Sequence, residues 1–196
     1  MSETRSDKLA KKTVPPSEEG EPAPGDLELV RGFINTREHD PDREELTDPA
    51  ALDAWLQRRG LPVIEPATED ELARALAFRE ALRSLALANS TGELDPEALA
   101  ELRAAAGDAT LRAWVDDEGQ MAIAPSCDGI DSLIARVLSA VATTQETGEW
   151  PRMKVCTSND CLWAFYDRSR NRSRHWCSMD VCGNRAKTRS YRARQS

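Results

Sequence analysis

A chain of 196 residues, 40% hydrophobic and 31% charged, can bury one medium core and a small satellite, which excludes two full-sized domains. Its formal charge of -8 is unevenly held: residues 1–150 carry 15 Lys+Arg against 31 Asp+Glu, whereas residues 151–196 carry 11 against 3. No apolar run reaches bilayer length and no signal-like apolar segment follows Met1, so no membrane partner is expected and the expected location is cytoplasmic, nucleoid-associated.

Residues 1–25 mix Lys8, Lys11 and Lys12 with acids and prolines and offer no periodic apolar face, the composition of a disordered arm. From Asp26 to about Thr36, Leu27, Val30 and Ile34 recur at helical spacing with Leu29 and Phe33 beside them. Asp48-Pro49 is a cap and first-turn pair for a second helix carrying Leu52, Trp55 and Leu56, which Gly60 ends. Thr68 with Glu71 reads as a capping box, and the stripe Leu72, Ala75, Leu76, Arg79, Leu82 and Leu85 sustains a third helix to about Asn89. Asp95-Pro96 starts a short fourth helix that closes at Gly107. The period then changes to two, which predicts a β-hairpin at about 110–124 around Asp117-Glu118-Gly119. Ile130, Leu133, Ile134, Val137, Leu138 and Val141 restore the helical period until Gly148 and Pro151 break it.

The expected fold is mainly α with a small β-hairpin: a helical domain at 26–148, then, around the four clustered cysteines 156, 161, 177 and 182, a small C-terminal zinc finger at 149–196 that ends in a basic helix. The only histidine of the helical domain is His39, in a polar stretch, and the acids fall mostly opposite the leucines, so no catalytic constellation is visible and no enzyme is expected. A small-molecule effector has room between helices and hairpin, but no residue names it.

Four of the five cysteines fall within 27 residues. Cys156-x4-Cys161 and Cys177-x4-Cys182 are matching pairs, and two such knuckles can bring four thiolates around one tetrahedral Zn2+. Four sulfurs leave no open position for a water, so the ion is structural and holds a segment too small to fold on apolar burial alone. Two disulfides and an iron–sulfur cluster are the alternatives that four cysteines permit; a reducing compartment disfavours the first. His175 is a reserve ligand, and Cys127 has no assigned role.

Around the cysteines, Leu162 to Tyr166 and Trp176 supply apolar bulk. In Arg168-Ser169-Arg170-Asn171-Arg172-Ser173-Arg174 guanidinium forks alternate with small polar residues, a pattern that matches phosphate oxygens. Arg185, Lys187, Arg189, Arg192 and Arg194 follow Cys182 in a segment of good helical propensity, with 185, 189 and 192 on one face. DNA is the expected partner of these nine cations.

Phe165-Tyr166-Asp167-Arg168-Ser169-Arg170-Asn171, Trp176-Cys177-Ser178-Met179 and Cys182-Gly183-Asn184-Arg185 closely resemble the CGNR zinc finger over about Cys156 to Arg194. Upstream, Phe33-Ile34-Asn35-Thr36 and the stretch from Pro49 to Leu61 are similar to the ABATE domain of bacterial stress-induced transcription regulators. The resemblance implies zinc on all four cysteines and a role in transcription regulation. On this reading the finger contacts DNA while the helical domain senses or docks. Alternatives are a zinc-stabilised module that docks on RNA polymerase or another transcription protein, and an RNA or single-strand binder using Tyr166 and Trp176.

Overall fold

Helix α1 (Leu27–Ile34) is short and one-sided: Leu27, Leu29, Val30, Phe33 and Ile34 form one broad buried face, and Glu28 and Arg31 lie on the other. The computed structural model of the chain describes residues 22–193 apart from 108 and 116, with the side chains of 114, 122 and 189–193 outside that description. The expected arm thus lies outside the described residues up to position 21.

After α1 a polar ribbon, β1 (Arg37–His39) and β2 (Asp42–Glu44), pairs antiparallel, with Glu38 opposite Arg43. It leads to α2 (Pro49–Arg58), whose cap is formed by the Asp48 carboxylate accepting from the Ala51 N–H at 2.8 Å. The capping box predicted for α3 (Glu69–Thr91) is present in both directions. Helix α4 (Pro96–Ala105) begins on Asp95. The hairpin follows as β3 (Leu111–Val115) and β4 (Met121–Pro125), and α5 (Gly129–Glu146) completes the helical set. Phe33 lies at the centre, its ring 5.6 Å from Trp55 and 5.9 Å from Phe78. Burying each of these side chains contributes about 1.5–3 kcal/mol. No described helix is long and apolar enough to cross a membrane.

Three two-stranded ribbons are present among the described residues where one was expected. The third, β5 (Met153–Val155) with β6 (Ala164–Tyr166), decides how the C-terminal segment sits. Successive side chains of a strand face opposite ways. Met153, Val155 and Ala164 accordingly join the core of the helical domain, with Trp150 beside them, and Tyr166 packs against that core. Lys154 and Phe165, paired in register, belong to the other face.

Side chains of the helical domain also satisfy this ribbon's backbone. Asn35 donates to the Ala164 carbonyl at 2.9 Å and accepts from its N–H at 2.8 Å, acting like one more strand residue. Arg83 of α3 donates to the Leu162 carbonyl and to the Ile34 carbonyl that ends α1. Asn89 donates to the Trp150 and Met153 carbonyls. Around the cysteines, Trp163 and Phe165 form a second small core.

The β3–β4 hairpin stands where it was expected and turns apolar side chains outward. The residues whose alternation predicted it, Leu111, Val115, Met121 and Ile123, are 43–87% exposed and share the solvent face.

Candidate metal centre and basic surface

Both cysteine pairs sit where a regular element starts or ends. Cys156 follows β5 directly, its N–H donating to the Trp163 carbonyl at 2.9 Å. The chain turns through 157–160 and returns with the Cys161 N–H on the Ser158 carbonyl at 2.8 Å. Leu162 then takes a φ of 49°, which allows the chain to double back into β6. In the second knuckle Ser178 caps a π-helical turn, Met179–Gly183, and Cys182 lies in that turn. Helix α6 (Asn184–Ala193) leaves from it without a spacer, and the Asn184 side chain holds the Asp180 carbonyl at 3.0 Å. Gly183 packs closely here, since a Cβ would stand 2.9 Å from the Met179 sulfur.

The four Sγ atoms all lie within 4.8 Å of one another, and Cys156, Cys161 and Cys182 are buried. Cys161 and Cys177 are 3.6 Å apart, and Cys177 and Cys182 are 3.8 Å apart. Sulfurs held about 2.3 Å from one tetrahedral zinc stand about 3.8 Å from each other, so the donor set fits the ion in both chemistry and spacing. These separations are far beyond the S–S bond of about 2.05 Å, and no disulfide joins the four. The cluster is that of one structural zinc. His175 is outside it: its ring stands edge-on to Trp176, and its carbonyl accepts from Thr157. Cys127, near the hairpin base beside the Thr110 carbonyl, is also apart from it.

Without a metal, four thiols this close cannot all ionise. Hydrogen bonds from the Cys161 and Cys177 thiols hold Cys156 far below the ordinary thiol range. The same contacts push Cys161 up to about 12 and Cys177 up as well. Burial, then the charge on Cys156, pushes Cys182 up.

The arginine-rich connector is ordered from beneath by a buried ion pair. Lys154 projects from the outer face of the ribbon to Asp167 at 3.1 Å, and both residues are at most 3% exposed. Lys154 also donates to the Arg172 and Arg174 carbonyls, while Asp167 accepts from the Ser169 and Arg174 N–H groups. With its backbone turned inward in this way, the connector exposes Arg168, Arg170, Asn171 and Arg172.

The predicted cations divide. Arg174 lies over the Phe165 ring at 4.9 Å and donates to the Cys177 carbonyl at 2.6 Å, so it holds the second knuckle. Arg185 pairs with Asp40 at the β1–β2 turn. Arg168 covers the Tyr166 ring and reaches the Pro22 carbonyl, and Arg172 reaches the Gly148 carbonyl, while both stay exposed. Arg170 and Lys187 are exposed and have no hydrogen-bond or ion-pair partner among the described residues. Positions 189 and 192 are on α6, with side chains outside the described residues, and Arg194 lies beyond them. Nothing in the sequence pairs Lys154 with Asp167, thirteen residues away, because a buried lysine reads as one more surface charge.

The family model of the CGNR zinc finger matches residues 152–195. That of ABATE, described as "Putative stress-induced transcription regulator", matches residues 21–145. No curated protein matches the chain.

Proposed function

The chain belongs to the ABATE family and ends in a CGNR zinc finger, and from that premise we propose that it regulates transcription by binding duplex DNA through the finger. The observation that carries this reading is the connector wrapped around Lys154 and Asp167, which holds its backbone inward and leaves Arg168, Arg170 and Arg172 exposed. Arg168, Arg170 and Arg172 follow phosphates on this surface. Lys187 and the positions 189, 192 and 194 bring further cations on α6. The acidic helical domain adds no attraction for a polyanion; it senses or docks.

The exposed cations separate the readings. Titrating full-length, zinc-loaded protein onto duplex DNA across salt concentrations is expected to give a steep negative slope of log affinity against log salt. Arg170→Ala should reduce that slope by about 0.9, the loss of one phosphate contact. Absence of duplex binding at low salt, or an unchanged slope in Arg170→Ala, would defeat the DNA reading.

A second reading, docking on RNA polymerase or another transcription protein, is favoured by the exposed apolar face of β3–β4. Capture of polymerase by protein that binds no DNA supports it. Single-strand recognition has less to stand on: Tyr166 and Trp176 are both half-buried, the first under Arg168 and the second against the cysteine cluster.

A further inference from the structure

A cleft of about 250 Å³ opens where α1, the β1–β2 ribbon, the end of α2 and the finger meet. Its volume is just under that of ordinary small-molecule pockets, about 300–1,000 Å³, and far above that of a single water, about 30 Å³. Gly32, Asn35, Glu38, Arg43, Arg59 and Trp163 are on its walls.

Much of its charge is already matched. Arg31 and Glu28 form a bidentate pair at 2.6 and 2.8 Å, and Glu45 takes Arg58 at 2.6 Å. Arg43, Arg59 and Glu38 are left. None of the three has an ion-pair partner among the described residues, and Glu38 Oε2 is shut off from water with no donor. Glu38 and Arg43 are directly opposed in the ribbon, on the same face, yet do not meet. The guanidinium of Arg59 lies over Trp55 at 5.2 Å and fills the space that the missing Gly32 side chain leaves, since a Cβ there would stand 2.9 Å from it.

We infer that this cleft binds a small amino-acid-like zwitterion, with its carboxylate on Arg43 and Arg59 and its ammonium on Glu38. Two unmatched guanidiniums recognise a carboxylate or a phosphate equally well, but the Glu38 carboxylate repels an anion that brings no donor of its own. One ligand group of each sign completes all three residues. Trp163 and Asn35 make the site a junction: the first is two residues from Cys161, and the second holds Ala164 of β6. A ligand therefore touches the helical domain and the finger together. This deepens the sensing role proposed above and rests on it only for the regulatory consequence, since binding to the cleft is measured without DNA.

The test uses full-length, zinc-loaded protein, with each common L-α-amino acid as probe in calorimetry and thermal melting. Acetate, inorganic phosphate and ethylamine serve as single-charge controls. At least one amino acid is expected to bind saturably and raise the melting temperature, with the controls weaker. Arg43→Gln should weaken that binding about tenfold to a hundredfold, the effect of one lost hydrogen bond to a charged group. Gly32→Ala should weaken it similarly by displacing Arg59, and its melting temperature without ligand should not fall, because alanine favours the helix. No saturable binding by any amino acid overturns the inference. So does affinity that survives both variants, or acetate or phosphate binding as well as the best amino acid. Failure on DNA with binding here intact would sink the function proposed above and leave this site standing.

Discussion

Asp167 shows what a single side chain does in this molecule. Burial pushes its carboxyl up, but the donors from Ser169, Arg174 and Lys154 outweigh burial and hold it at about 2. Its contribution to stability is present above the ordinary value of 3.8 and is lost as pH falls toward about 2. Asp167→Asn leaves the Lys154 ammonium buried without a counter-charge, which costs about 3–5 kcal/mol. Denaturant melts at neutral pH should register that loss, and the variant should also lose part of the acid sensitivity between pH 4 and pH 2. A variant as stable as the parent would mean that the connector is not organised from this pair. The place of Arg174 in an alternating run groups it with the phosphate-facing arginines. A sequence run gives no direction, and here the bond to the Cys177 carbonyl does.

At the scale of elements, helix α6 is tied to the metal. It departs from the turn that holds Cys182, so Cys182→Ser should abolish stoichiometric zinc and unwind its ten residues. Helices α1 to α5 should persist, a difference that metal analysis and far-ultraviolet circular dichroism resolve. Full zinc retention in this variant would remove Cys182 from the site. Zinc uptake should also weaken as pH falls, since Cys161, Cys177 and Cys182 are pushed up in the metal-free cluster and must lose their protons to bind.

Elements with local chemistry were legible in the sequence. Asp48-Pro49, the Thr68–Glu71 box and Asp95-Pro96 mark helix starts found at those positions. The two cysteine pairs were equally plain, because metal spacing is a local property. Illegible elements had another cause. Arg37-Glu38-His39 and Asp42-Arg43-Glu44 contain no apolar alternation, and Met153-Lys154-Val155 alternates for only three residues, too short a run to mark a strand. Arg79, which lies on the apolar stripe of α3, and Arg83 one turn further on are both 4% exposed, and the stripe does not say what they hold. Arg79 grips Glu44 on β2, and Arg83 grips the carbonyl of Leu162. Tertiary contacts of this kind override periodicity, and no window of sequence contains them.

For the whole molecule, the β5–β6 ribbon gives both halves a common interior. A protein cut at residue 148 should therefore not behave as two folding units. The segment from 148 to 196 exposes Trp150, Met153, Val155 and Ala164, which are at most 4% exposed in the intact chain, and should aggregate or melt at lower temperature even when zinc is bound. The complementary piece leaves Asn35 and Asn89 without the carbonyls they serve and takes from Arg83 its bond to Leu162. A cooperative, soluble fold for the C-terminal piece alone, by calorimetry, would contradict this.

The same ribbon bears on modularity. The matched families abut between residues 145 and 152, so a reader of the sequence alone would trade fingers among relatives at that seam, as interchangeable cassettes. The seam in the alphabet is not a seam in the solid. A transplanted finger carries the outer face of its ribbon with it, Lys154, Asp167 and the arginines they support, but meets a foreign inner face unless Asn35, Arg83, Asn89 and the apolar wall between them travel too. The unit that can be moved intact is the pair of domains together with their shared interior.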